Sequence, residues 1–317
     1  MNEEIMRSRI DPEYRAFYDA SPGYDLEHLE IFRVLDGVQE KILCRQDADV
    51  SVREMIIPGP ADCPELKVRI YEPRVRDGSR LPALLFFHAS GFMFGSAMRH
   101  EGLCIRYCKH VGCVVVSVEY RLAPEWKAPA AVEDAYAALQ WLAREDNGLR
   151  VDPAHIAVGG ISAGGNLAAA VSLMARDLGG PKIVLQIILA GALDHNMSTY
   201  SAKNITSDKV WSYGYSQKAW ASYLDPDKEV TCYMSPSMAQ DLSNLPPCFS
   251  YVGGLDPFLD ENMQYWSRLM QAGVAVEGHV IPGMYHCFDV SVPSAKRSRS
   301  LFELTYDALR RAFDKTV

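Results

Sequence analysis

Ser162 stands midway between two glycines in the run Gly160-Ile161-Ser162-Ala163-Gly164. A hydroxyl at the apex of a sharp strand-to-helix turn is presented for attack on a carbonyl. The strained backbone of such a turn requires residues two places away that lack side chains. The flanks supply the context: His155-Ile156-Ala157-Val158-Gly159 reads as a short buried strand, and Asn166 to Ala175 reads as a buried helix. The pattern also occurs as an ordinary tight turn, and here the strand and helix favour the catalytic reading.

Serine alone is a weak nucleophile; it needs a base, an orienting acid and donors for a developing oxyanion. In a parallel sheet such groups gather in the loops after strands. Asp256 follows one apolar run, in Gly253-Gly254-Leu255-Asp256-Pro257, ahead of a proline that can open a helix. Its ordinary reading is a helix N-cap, with Asp260 and Glu261 in the first turn facing the dipole. Asp194 is the reserve acid. His286 follows another run, in a loop with the turn-forming Pro282-Gly283. Among the other histidines, His155 and His279 fall on strands, and His28, His100 and His110 on helical segments. His195, after a strand end, is the rival. The small-residue loop His88-Ala89-Ser90-Gly91-Phe92-Met93-Phe94-Gly95 can aim backbone N–H groups into a cleft, as can Ala163 next to the nucleophile. The ordinary reading of that loop is a βα turn with His88 as a buried, hydrogen-bonded ring.

The elements that must position these groups follow from periodicity. Extended runs lie near 52–57, 66–72, 82–88, 113–118, 155–160, 184–190, 247–252 and 276–281, and helical runs near 98–111, 129–146, 163–178, 258–272 and 297–314. This alternation predicts an α/β fold: an eight-stranded, mostly parallel sheet flanked by helices. Residues 1–48 read as helices, with Leu26, Leu29, Phe32, Val34 and Leu35 at roughly helical spacing, followed by Val38 and Ile42. Residues 49–317 form the main domain. An insertion at about 195–230 carries Trp211, Tyr213, Tyr215, Trp220 and Tyr223, and its length suits a lid or cap as well as a small core of its own.

Composition narrows the function. The net charge of −8, with no basic stripe, argues against nucleic acid and against anionic membranes. Lys296-Arg297-Ser298-Arg299 reads as a solvated helix start. The acidic Met1-Asn2-Glu3-Glu4 has no apolar stretch behind it, so no signal peptide is expected, and the longest apolar run is too short for a membrane span. Eight cysteines without C-x-x-C pairs suit free thiols in a reducing cytoplasm. No H-E-x-x-H, cysteine–histidine cluster or nucleotide fingerprint is present, so neither metal nor cofactor is expected.

With these residues assembled, the chain resembles the hormone-sensitive-lipase-like esterases, the α/β-hydrolase fold-3 group, from about residue 66 onward. Beside the serine turn, Glu119-Tyr120-Arg121-Leu122-Ala123-Pro124-Glu125 is similar to the family's D-Y-R-L-A-P-E, Asp256 to Glu261 to its D-P-L-x-D-E, and Gly283 to Phe288 to its G-x-x-H-x-F. The resemblance implies a triad of Ser162, Asp256 and His286, an oxyanion hole of the Ser90, Gly91 and Ala163 N–H groups, and a cap built from the first helices and the 195–230 insertion. It also implies hydrolysis of short- to medium-chain carboxylic esters, and a possible homodimer through the last strand and helix. Two departures stand out: Ile161 replaces a polar residue, and His88-Ala89-Ser90-Gly91 replaces H-G-G-G, so that Ser90 either adds a donor or crowds the substrate. An amidase or formamidase with the same triad, and a non-catalytic binding module, are the alternatives.

Overall fold

The computed structural model describes residues 1, 3–43, 46–75 and 78–314. Eight strands form one sheet: β1 (Val50–Pro58), β2 (Glu65–Pro73), β3 (Leu81–Phe87), β4 (Val114–Val118), β5 (Val151–Ile161), β6 (Leu185–Leu189), β7 (Cys248–Gly253) and β8 (Val276–Ile281). Their order is β1-β2-β4-β3-β5-β6-β7-β8. β1 and β2 pair antiparallel, as do β2 and β4, and every other pairing is parallel. The central strands are apolar throughout because both faces are covered. Leu85 and Phe87 of β3 point to one core, Leu84 and Phe86 to the other.

The helices are α1 (Glu3–Arg9), α2 (Pro12–Ala20), α3 (Leu29–Leu43), α4 (Glu101–Val111), α5 (Ala130–Leu142), α6 (Ala163–Asp177), α7 (Tyr200–Asn204), α8 (Tyr213–Tyr223), α9 (Leu259–Gln271), α10 (Phe288–Ser291) and α11 (Lys296–Phe313). Leu103 and Tyr107 of α4 and Leu301, Phe302 and Tyr306 of α11 fill one side of the sheet. Val132 and Leu139 of α5 and Leu167 and Val171 of α6 fill the other. Strand order reverses between β3 and β5, and the helices that follow these two strands leave to opposite faces. That reversal opens a crevice at the carboxyl ends of β3 and β5, where α/β sheets bind ligands.

The helical periodicity in residues 1–48 is real, but α3 is turned inside out. Leu29 and Phe32 pack inward, whereas Val34, Leu35, Val38 and Ile42 are exposed. Its charged side faces the protein instead. Arg33 donates to the carbonyls of Met93 and Ala123, each at 2.6 Å, and pairs with Glu125. Asp36 pairs with the half-buried Arg99, and Glu40 accepts from Ser96. Three directed contacts outcompete an apolar face that has nothing to pack on.

The first two helices reach across the molecule. Tyr14 and Tyr18 are wholly buried, and their hydroxyls lie 2.7 Å from those of Ser298 and Ser207. The basic run at 296–299 is therefore not merely a solvated helix start. Ser298 is buried, and the Lys296 N–H donates to Glu13. Nor do the aromatics of the insertion make a core of their own. Trp220 and Tyr223 pack on Phe92 of the loop after β3, Tyr223 stacked at 3.9 Å.

Candidate active site

Ser162 closes β5 and opens α6, with φ 59° and ψ −119°, a conformation side chains rarely adopt. Its neighbours explain the glycines. A Cβ on Gly160 would sit 2.2 Å from the Gly164 carbonyl oxygen, and one on Gly164 2.1 Å from that of Phe87. The Ser162 N–H donates to Leu189 at 2.9 Å, tying the turn to β6.

Asp256 follows β7 by three residues and His286 follows β8 by five, so adjacent parallel strands deliver both to the same sheet edge. The Leu255 N–H donates to Met284, locking the two loops together. His286 Nδ1 lies 2.8 Å from Asp256 Oδ2. Asp256 is not the helix N-cap, a position held by Phe258; its other oxygen accepts the Phe258 N–H at 2.9 Å in the turn ahead of α9. Ser162, Asp256 and His286 are each at most 4 % exposed. Burial opposes charge on the His286 ring, but the Asp256 carboxylate and Cys287 more than offset it, holding the pKa well above 6.5.

The remaining candidates separate from this cluster. Asp194 bonds the backbone and side chain of Asn196, and His195 lies 3.1 Å from Ser235. His155 pairs with Asp152, His279 with Glu277 and His28 with Asp25, while His110 stacks on Tyr306. His100 sits one residue ahead of α4 and accepts the Ala89 N–H at 3.2 Å. Burial keeps both His100 and His88 neutral, the latter pushed down to about 3.

Ser90, Gly91 and Ala163 are buried, and among the described residues their N–H groups meet no acceptor. Buried orphan donors are uncommon and call for a partner outside the resting protein. The Ser90 hydroxyl is already engaged. It accepts the Phe92 N–H at 2.8 Å, and the Tyr120 oxygen lies 2.7 Å from it and from the His88 carbonyl, its single proton shared between the two. Tyr120 also stacks on the His88 ring at 4.2 Å.

Sequence reasoning missed Tyr120, His100 and Glu261. Glu261 accepts the N–H of Leu193 at 2.7 Å, shaping the exit from β6 rather than merely facing a helix dipole. An aromatic two residues past a buried strand was the available signal for Tyr120. A separate cleft of about 480 Å³, lined by Arg33, Glu40, Phe94, Gly95 and Trp126, includes none of Ser162, Asp256 and His286. Among the described residues no group of acidic, histidine or cysteine side chains could hold a metal, and no helix is long and apolar enough to cross a membrane.

Residues 84–290 match the family model described as alpha/beta hydrolase fold. The chain is 35% identical to the esterase LipI of Mycobacterium tuberculosis over 285 residues, 87% of each chain. It is 33% identical to the ethyl acetate hydrolase of Pseudomonas putida, covering 70% of this chain and 71% of the relative. Among solved structures, a bacterial heroin esterase superimposes with a TM-score of 0.92 at 34% identity, over 97% of this chain and 99% of that one.

Proposed function

This chain belongs to the alpha/beta hydrolase fold family, in its hormone-sensitive-lipase-like branch, and is a carboxylesterase; on that premise we propose that Ser162, His286 and Asp256 cleave short- to medium-chain esters through an acyl-enzyme. The observation that carries the assignment is the 2.8 Å bond between His286 Nδ1 and Asp256, on the same sheet edge as the strained serine turn. That bond fixes Nδ1 as the protonated nitrogen and leaves Nε2 to take the Ser162 proton. Ser162 attacks the ester carbonyl, and the oxyanion accepts from the N–H groups of Ser90, Gly91 and Ala163. Asp256 stabilises the imidazolium, which then protonates the departing alcohol. Water, deprotonated by the same ring, releases the acid. The Ser90 hydroxyl supports the loop through Phe92 and Tyr120. No observation favours the amide or non-catalytic readings.

In the same reading, α1 to α3 and the 195–230 insertion act as a cap. Seven free cysteines among the described residues support a reducing, cytoplasmic setting. Exposed Val280 on β8 and Leu304 on α11 support pairing of two copies there, which light scattering tests.

The decisive experiment combines a fluorophosphonate probe with p-nitrophenyl butyrate. Labelling at Ser162 and turnover are expected, both lost in Ser162→Ala. A folded wild type that neither labels nor turns over would overturn the assignment. Asp256→Ala should lose far more activity than Asp194→Ala.

A further inference from the structure

Trp211 lies between α7 and α8 and is 3% exposed, yet it touches two parts of the site at once. Its six-membered ring lies against Gly91: a Cβ there would meet Trp211 Cη2 at 2.4 Å and Cζ2 at 3.1 Å. The ring centre is also 6.2 Å from that of His286. The indole is held in place. Its Nε1–H donates to Ser216 Oγ at 3.0 Å, that hydroxyl donates to the Ser212 carbonyl, and Tyr24 meets the ring edge-on at 5.3 Å.

We propose that Trp211 is a specificity-determining residue that limits the size of the alcohol part of the ester. The inference rests on the ester-hydrolase reading above. In the tetrahedral intermediate the carbonyl carbon carries three substituents besides the serine oxygen. The oxyanion points to the Gly91 loop, the alkoxy oxygen must reach His286 to collect its proton, and the acyl chain leaves in the remaining direction. A ring that spans the gap between Gly91 and His286 borders the first two directions, so it walls the alcohol group and not the acyl chain. Gly91 is the complement on the other side, because any side chain there would displace the indole.

The test compares two substrate series on wild type and Trp211→Ala. One series holds the acyl group at acetate and enlarges the alcohol from ethyl to cyclohexyl; the other holds ethanol and lengthens the acyl group from acetate to hexanoate. The kcat/KM ratio of cyclohexyl acetate to ethyl acetate should rise roughly tenfold or more in the variant. The hexanoate-to-acetate ratio should move by less than about twofold, on the same reasoning about one pocket and not the other. An unchanged alcohol ratio overturns the proposal, as does an equal or larger shift in the acyl series. Should the alanine variant fail to fold, Trp211→Leu carries the same comparison with a shorter apolar side chain. Fluorophosphonate labelling of the wild type separates the two failures: without it the hydrolase reading falls, and with it only the assignment of Trp211 is at stake.

Discussion

Removing one oxygen, in Tyr120→Phe, tests whether the loop after β3 is preorganised by the hydroxyl network beneath it. The phenol oxygen lies 2.7 Å from the His88 carbonyl and from Ser90 Oγ, shares its one proton between them, and both acceptors are buried. A phenylalanine keeps the stacking on His88 and leaves those acceptors short of a partner, which costs about 1–3 kcal/mol of stability. Losing an oxyanion donor outright costs roughly 3–4 kcal/mol of barrier, or 10²–10³ in kcat. Here the donors remain but are less firmly held, because Ser90 still receives the Phe92 N–H and Ala89 still binds His100. A fall in kcat of about tenfold to a hundredfold is therefore expected. KM should change little, since the donors act on charge that develops in the transition state. Urea unfolding measures the first quantity and steady-state ester hydrolysis the second. A variant that loses stability but keeps wild-type kcat would refute the reasoning, because the network would then hold the fold without tuning the donors.

Two further outcomes follow from burial and charge. In the proposed mechanism the base is neutral His286, whose pKa is held well above 6.5, so the rising limb of kcat/KM against pH should have its midpoint above 6.5; a midpoint below that value contradicts the direction of the shift. Arg99 is paired with Asp36 and Glu40 beneath α3, so Arg99→Met strands two carboxylates and should cost about 3–5 kcal/mol in urea unfolding. A loss under about 1 kcal/mol would mean the cluster is effectively solvated.

The eight strands could be read from sequence because their signal is local. Runs such as Val114-Val115-Val116 are apolar on both faces, and each site residue lies within five positions of a strand end. The serine turn was readable because its two glycines stand at fixed places either side of Ser162, although the backbone that excludes their side chains includes Phe87 of β3. The inverted face of α3 was not readable. Its apolar spacing is that of an ordinary buried helix, and what turns it over is Arg99, distant in sequence from Asp36. Trp211 on Gly91 and Tyr120 beneath Ser90 likewise join separate segments. No periodicity announces such pairs, which exist only once the sheet has brought its loops to one edge.

The docking of α2 has a consequence for the order in which the protein is made. Tyr14 is buried against Ser298, 284 residues further along. At roughly 5–20 residues per second, α2 leaves the ribosome about 14–57 s before its partner is synthesised. Throughout that interval the Tyr14 hydroxyl lacks its native partner, whereas Ser207, the partner of Tyr18, is made earlier. A nascent chain halted before α11 thus carries α2 without its Ser298 contact.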